Sequence, residues 1–224
     1  MMTGRHHSER SASVYTKRTL ALYDRWVLGF SNRYVWRCQT EHLLELYRRH
    51  LTDNHLEAGP GTGRLLADTL PQLPGPVRRC ALVDLNPDCL DHASAELAAH
   101  GPERHLADLL QPLELPGPRF ASIALNYVLH CLPGPLEEKS GNVFDHLRDH
   151  LEDDGVLFGS TLLGKDIQIP LAARPLMAAY NRMGVFDNGE DSLGGLMESL
   201  SQRFRTFHVE VHGCGVLFWG RGRR

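Results

Sequence analysis

The pattern of hydrophobic and polar positions begins with a helical period in the segment TEHLLELYRRHL. Leu43, Leu44, Tyr47 and Leu51 fall on one face of the helix that this period predicts. Thr40 is the predicted N-cap, and a cluster of basic residues fills the last turn, where positive charge suits the helix dipole. The segment is therefore predicted to form an amphipathic helix.

Five short apolar runs typical of strands follow, at residues 54–58, 77–85, 104–110, 120–126 and 155–164. Helical periods separate them, and Asn86-Pro87 supplies an N-cap and a first-turn proline for one of these helices. The last segment, RTFHVEVHGCGVLFWGR, alternates and then turns, which predicts a hairpin. We therefore expect an α/β fold: a Rossmann-like, seven-stranded, mostly parallel sheet with helices on both faces, an antiparallel C-terminal hairpin and an N-terminal helical cap.

Composition agrees with an ordinary soluble globular protein. The chain has 224 residues, a formal net charge of −3, 42% hydrophobic and 23% charged residues. Its five cysteines are odd in number and form no CxxC pair, so we expect free thiols and neither a disulfide framework nor a zinc site. Because the chain has no apolar run of membrane-spanning length and no signal-peptide pattern, we expect a cytoplasmic protein without a membrane partner.

The most informative segment is HLEAGPGTG, where a strand runs into closely spaced glycines. Such glycines let the backbone turn sharply and approach a ligand closely. Glu57 lies at the strand end, and Asp84 follows 21 residues after Gly63, at the end of the next strand. An acid in the position of Asp84 can accept both ribose hydroxyls of an adenosine.

Three nucleotide sites compete for this loop. A phosphate-binding Walker loop needs Lys and Ser/Thr after its last glycine, where Arg64 and Leu65 stand. The dinucleotide pattern GxGxxG needs its third glycine at position 64, and no tyrosine has a lysine four residues later, as short-chain dehydrogenases do. An amino-acid nucleoside remains, since Glu57 can meet its ammonium group.

These motifs resemble the class I S-adenosylmethionine-dependent methyltransferases, whose first motif is an acidic residue followed by xGxGxG. The resemblance covers nearly the whole chain: HLEAGPGTG, LVDLNPDCL, LADLL and SIALNYVLHCLPG match the successive motifs. YDRWVLGFSNRYVWRC, GVLFGSTLLG and YNRMGVFDN look like a small-molecule subgroup of bacteria and fungi, whose members carry Asp and Val in place of Glu57 and Pro60.

The resemblance implies S-adenosylmethionine as cofactor and S-adenosyl-L-homocysteine as its product. Asp84 would hold the ribose and Asp108 the adenine amino group. For Trp36 and Arg37, a core position and a surface charge are equally open. The full set of expected cofactor-binding residues is Trp36, Arg37, Glu57, Gly59, Gly61, Asp84, Leu85, Asp108, Leu109 and Asn126.

Catalysis by such an enzyme needs the acceptor, methyl group and sulfur held in line, and a general base only if the acceptor must lose a proton. His130 is the candidate base and Tyr127 a candidate positioning hydroxyl. Tyr23, Trp26 and Tyr180 are candidate acceptor-binding residues, with the hydrophobic core as the alternative location. No metal is expected.

The expected organisation is a disordered N-terminus (1–13) and one methyltransferase domain (14–224). That domain divides into a helical cap (14–52), a cofactor-binding core (53–164), a helical acceptor-pocket segment (165–203) and the hairpin (204–224). We expect methyl transfer to a small organic acceptor, a specialised metabolite, by a monomer or homodimer. The near-neutral charge disfavours a nucleic-acid partner, though an RNA or protein methyltransferase and a cofactor-binding scaffold stay open as alternatives.

Overall fold

The computed structural model describes residues 24–224, and their side chains from residue 29 onward. The segment predicted to be disordered (1–13), Tyr23 and the side chain of Trp26 lie outside the described part. The helices are α1 (Asp24–Val35, with wide π-type turns), α2 (Thr40–His50), α3 (Arg64–Thr69), α4 (Pro87–Glu96), α5 (Leu136–Arg148), α6 (Ala173–Met183) and α7 (Leu193–Arg203). Single turns of 3₁₀ helix lie at Leu70–Gln72, Ala98–His100 and Leu129–Cys131.

Seven strands form one sheet in the order β3-β2-β1-β4-β5-β7-β6. The strands are β1 (Asn54–Ala58), β2 (Arg79–Asp84), β3 (Glu103–Leu106), β4 (Phe120–Asn126), β5 (Leu151–Leu162), β6 (Phe204–His212) and β7 (Gly215–Arg223). The first five run parallel, whereas β7 pairs antiparallel with both β5 and β6. This confirms the predicted fold class, including the hairpin. The strand order reverses between β1 and β4, where open α/β sheets bind ligands at their carboxyl edge.

The sheet buries both of its faces, as alternating side chains of its central strands show. Ile123 and Leu125 of β4 pack with α5 and α7, while Ala124 between them packs with α2, α3 and α4. These two layers supply most of the hydrophobic core. A third apolar cluster, at the carboxyl edge, joins the residues after α1 to α6.

Two expectations for the N-terminal region change. Helix α2 does not lie over the opening but packs on the sheet, with Leu43 and Tyr47 completely buried. The helix begins at Thr40 itself, so its N-cap is Gln39 and not Thr40, and the Thr40 hydroxyl accepts a hydrogen bond from the Asn32 amide at 3.1 Å. By contrast, the predicted cap of α4 is confirmed, since Asn86 accepts from the backbone N–H of Asp88 at 2.9 Å.

The segment expected to form the acceptor pocket is fastened to the end of β5. Asn188 is fully buried, and its amide donates to the Leu162 carbonyl at 2.9 Å. Asn181 of α6 donates to the Asn188 side chain at 2.8 Å, so α6 and the loop that follows it share one polar anchor. Within the described residues, no helix is both long and apolar enough to cross a membrane.

Candidate active site

A cleft opens at the carboxyl edge of the sheet, above the ends of β1, β2 and β4. It holds about 1090 Å³ of empty space, a volume that includes space open to solvent. Nine residues predicted from the sequence to belong to the site come together in its lining: Glu57, Gly59, Gly61, Asp84, Leu85, Asp108, Leu109, Asn126 and Tyr127.

Each glycine of the loop after β1 stands where a side chain would be unfavourable, and the reason differs from one position to the next. All three have a positive φ, between +56° and +78°, which a side chain rarely adopts. A Cβ at Gly59 would lie 2.3 Å from Cγ2 of Val128, and a Cβ at Gly63 would lie 3.1 Å from Ala93 of α4. A Cβ at Gly61 would meet no protein atom within 4 Å and would stand in the cleft. The loop is therefore a cradle, closed against the protein at its ends and open to a ligand at Gly61.

Asp84 and Asp108 stand at the ends of neighbouring strands, and each is oriented by a backbone turn. Oδ1 of Asp84 accepts from the N–H of Asn86 at 2.8 Å, and Oδ1 of Asp108 accepts from the N–H of Leu110 at 3.0 Å. β3 ends at Leu106, before the turn at Asp108, whereas the apolar run predicted a strand that continues to residue 110. Burial raises the pKa of the Asp84 carboxyl from its usual value to about 6. A ligand that donates hydrogen bonds there would favour the charged form and lower this pKa.

Glu57 lies in the cleft wall, yet both of its carboxylate oxygens already have protein partners. The Tyr47 hydroxyl donates to Oε1 at 2.6 Å, and Nε2 of His55 lies 3.2 Å from Oε2. Tyr47 also lines the cleft, although its helical period indicated only a core position. Its contact with the site could not be read from the sequence, because it depends on how α2 packs beside Glu57 of β1 and Asn126 of β4.

The sequence matches the family described as "Methyltransferase domain" over residues 56–157. It is 35% identical over 214 residues to a physcion biosynthesis cluster O-methyltransferase of Aspergillus chevalieri, and the match covers 94% of each chain. The chain belongs to the class I S-adenosylmethionine-dependent methyltransferases. This confirms the family that the sequence motifs resemble.

Further similarities agree with that family. The methyltransferase is 34% identical over 200 residues to the demethylluteothin O-methyltransferase of Streptomyces thioluteus, covering 89% of this chain and 86% of the relative. Its fold is similar to the DhpI–SAH complex (TM-score 0.67, 14% identity, 100% of this chain and 99% of the other). It is also similar to the N-methyltransferase NodS of Bradyrhizobium japonicum WM9 with S-adenosyl-L-homocysteine (TM-score 0.62, 15% identity, 94% and 100%).

The residues of the cleft fit the cofactor of this family. The Gly61 cradle leaves the space that a bound molecule needs at the closest approach of the backbone. Asp84 is a partly buried acid with a raised pKa, and ribose hydroxyls are donors that would pair with it. Leu85 and Leu109 supply apolar surface beside the two acids, as an adenine ring requires.

Tyr127, which lines the cleft, is held in a strained conformation. Its φ is +56°, which is a rare conformation for a bulky residue. Its N–H donates to the Ser160 carbonyl at 2.9 Å, and its hydroxyl donates to Oδ1 of the buried Asn32 at 3.1 Å. The hydroxyl is therefore engaged with the residues of α1, and Tyr127 ties the N-terminal region to the end of β4.

His130 lies next to the cleft but is not among the residues that line it. Burial, with the Lys139 charge as a second cause, lowers the pKa of its imidazole to about 3. The N–H of Leu162 donates to Nδ1 at 3.3 Å, so the neutral ring carries its proton on Nε2. With one nitrogen accepting and the other protonated, this arrangement disfavours the role of general base that the sequence suggested.

Three other candidates lie outside the cleft lining. Trp36 is buried in the third cluster, with its ring 6.1 Å from that of Phe186, whereas Arg37 is exposed and has a φ of +55°. Tyr180 is half-buried, with its ring 4.8 Å from Phe186. These positions agree with the alternatives of core and surface. Across residues 24–224, no group of three His, Cys, Asp or Glu side chains is arranged to hold a metal ion.

Proposed function

We propose that this methyltransferase transfers the methyl group of S-adenosylmethionine to a hydroxyl oxygen of a small organic acceptor, a specialised metabolite. The observation that carries the proposal is the cleft at the carboxyl edge of the sheet, where an open glycine cradle meets two oriented acids. The choice of oxygen is supported by the O-methyltransferases of Aspergillus chevalieri and Streptomyces thioluteus, which match this chain over most of their length.

The proposed placement of the cofactor follows the order of the strands. Asp84 at the end of β2 would hold the ribose, and Asp108 beyond β3 would accept from the adenine amino group. The adenine ring would lie against Leu85 and Leu109. The methionine part would then extend past Gly59 and Gly61 toward Asn126 at the end of β4.

The contribution of the protein to the reaction is positioning and exclusion of water. When bound, the cofactor supplies a methyl group on a positively charged sulfur, which an aligned nucleophile can displace. Fixed geometry of this kind lowers the barrier of comparable intramolecular reactions by about 7–11 kcal/mol. The described residues that line the cleft include no histidine. We therefore propose that the acceptor hydroxyl is acidic enough to react without an imidazole base.

The acceptor is proposed to bind between the cofactor and residues 165–203, whose aromatic residues face the third cluster. Tyr180 stays a prediction for this surface, as do Tyr23 and Trp26, which lie in the part of the chain without described side chains. A cytoplasmic location and the absence of a nucleic-acid partner also stay predictions from the sequence.

Calorimetric titration with S-adenosylmethionine and, separately, NAD tests the cofactor. We expect micromolar binding of S-adenosylmethionine alone, and loss of that binding in Asp84→Ala. Asp153→Ala is the matched control, because Asp153 is an exposed acid near the start of β5, whereas the cleft lies at the carboxyl edge of the sheet. Incubation with phenolic and other hydroxylated metabolites should then give a methylated product and S-adenosyl-L-homocysteine in equal amounts by mass spectrometry. Binding of NAD instead, or unchanged affinity in Asp84→Ala, would contradict the proposal.

A further inference from the structure

A continuous chain of buried side-chain hydrogen bonds crosses the ends of three strands beneath the cleft. Ser160 of β5 donates to Oδ1 of Asn126 at 2.9 Å, and Nδ2 of Asn126 donates to the Tyr47 hydroxyl at 3.1 Å. Tyr47 donates in turn to Glu57 of β1 at 2.6 Å. All four side chains are at least nine-tenths buried, so water does not compete for these bonds.

The direction of each hydrogen bond between Glu57 and Ser160 follows from the carboxylate of Glu57. A carboxylate can only accept, so the single hydroxyl proton of Tyr47 must point to Oε1 of Glu57. The Tyr47 oxygen can then only accept from Asn126, which requires Nδ2 of the amide, and not Oδ1, to face Tyr47. Oδ1 is left facing Ser160, whose hydroxyl donates to it. The orientation of the Asn126 amide is thus set by Glu57, acting through the Tyr47 hydroxyl.

We propose that Tyr47 is a positioning residue, which makes Asn126 present an N–H to the bound cofactor at the methionine carboxylate. This rests on the proposed function, which directs the methionine part of the cofactor toward the end of β4. Nδ2 has two hydrogens, and one of them is donated to the Tyr47 oxygen. Asn126 lines the cleft, so the second hydrogen is the one that can be donated to a ligand. The methionine end offers an ammonium, which donates, and a carboxylate, which accepts, so the second N–H of Asn126 suits the carboxylate.

The same bonds give Glu57 a different role from the one that its motif suggests. Its oxygens already accept from Tyr47 and His55, so it acts on the cofactor through Tyr47 and Asn126. A glutamine at position 57 can keep Oε1 toward Tyr47 and turn its amide N–H toward His55, whose ring then takes the other tautomer. Glu57→Gln should therefore preserve the orientation of Asn126, whereas direct binding of the ammonium would require the charge.

The test compares S-adenosyl-L-homocysteine with 5′-methylthioadenosine, which has the same nucleoside but no amino-acid end. Calorimetric Kd values for both are measured in the full-length protein and in Asn126→Asp, Tyr47→Phe and Glu57→Gln. Ser122→Ala is the matched control, because Ser122 is buried and bonded to Nδ1 of His55 at 2.8 Å, on the other side of Glu57. Thermal melting curves confirm that each variant is folded.

We expect Asn126→Asp to weaken S-adenosyl-L-homocysteine binding by about tenfold or more, since a donor to a charged group becomes a second negative charge. Tyr47→Phe should weaken it by roughly three- to tenfold, and 5′-methylthioadenosine should change by less than about threefold in every variant. Glu57→Gln and Ser122→Ala should leave the ratio of the two Kd values unchanged.

Equal losses for both ligands in Asn126→Asp and Tyr47→Phe would overturn the proposal, because the residues would then be merely structural. A selective loss in Glu57→Gln would also overturn it and would assign the ammonium to Glu57. If Asn126→Asp does not fold, the comparison of Tyr47→Phe with Glu57→Gln decides between the same outcomes. Failure of the unaltered protein to bind either ligand would instead refute the proposed function and this inference with it.

Discussion

The ammonium group of Lys139 lies 2.9 Å from Oδ2 of Asp191, and both side chains are almost completely buried. Lys139 also donates to the carbonyls of Leu132, at 3.1 Å, and Asp187, at 2.5 Å. Leu132 lines the cleft, while Asp187 and Asp191 belong to the loop between α6 and α7. One buried cation therefore fastens the proposed acceptor segment to the turn that follows β4.

Lys139→Met should lower the free energy of unfolding by about 3–5 kcal/mol, because it leaves Asp191 as an uncompensated buried charge. Urea denaturation followed by circular dichroism measures this loss. Lys165→Met is the matched control: the pair of Lys165 with Glu190, at 3.0 Å, is exposed, and its removal should leave the free energy of unfolding nearly unchanged. Equal effects of the two substitutions would show that the buried pair contributes no more to the free energy of unfolding than the exposed pair does.

Binding of S-adenosylmethionine should depend on pH through Asp84. Burial raises the pKa of the free carboxyl to about 6, and ribose hydroxyls that donate to the carboxylate lower it in the complex. Binding therefore releases a proton, and affinity should fall by about tenfold between pH 7 and pH 5. Calorimetry in buffers of different ionisation enthalpy measures that proton. Asp84→Asn should bind weakly at every pH, and an unchanged pH dependence in this variant would place the titrating group elsewhere.

Alanine at two neighbouring glycines should separate folding from binding. Gly59→Ala drives a Cβ to 2.3 Å from Val128 and should cost about 2–4 kcal/mol of stability. Gly61→Ala meets no protein atom and should cost only about 1 kcal/mol, for its positive φ, while it weakens S-adenosylmethionine binding by about tenfold or more. Thermal melting and calorimetry together distinguish the two. A Gly61→Ala variant with full affinity would contradict the cradle.

His130 should remain neutral over the whole working pH range, because burial lowers the pKa of its imidazole to about 3. Nitrogen-15 NMR of the histidine side chains should show one ring with its proton fixed on Nε2 from pH 5 to pH 8. His130→Gln identifies that signal by its disappearance. Titration of this ring near pH 6.5 would restore the hypothesis that His130 is the general base.

Local patterns were sufficient to predict the order of elements from α2 to the hairpin. Alternation in RTFHVEVH, the cap at Asn86 and the glycines after β1 are short-range signals, and each corresponds to an observed element. The same is true of the cleft residues from Glu57 to Asn126, because strand ends in a parallel sheet necessarily meet at one edge. The family motifs added the cofactor, since they recur at those strand ends.

Side-chain partners distant in the sequence required the tertiary structure. Tyr47 reads as an apolar position of a helix, yet its hydroxyl joins Glu57 and Asn126, the latter 79 residues away. His130 reads as a candidate base until its burial and the N–H of Leu162 are known.

The sequence by itself determined which elements form, in what order, and which residues reach the carboxyl edge of the sheet, because periodicity and turn chemistry act over a few residues. Only the tertiary structure decided which of those residues face a ligand and which face one another. Burial, hydrogen-bond direction and charge pairing are properties of neighbours that the chain brings together from distant positions, as it does Lys139 and Asp191.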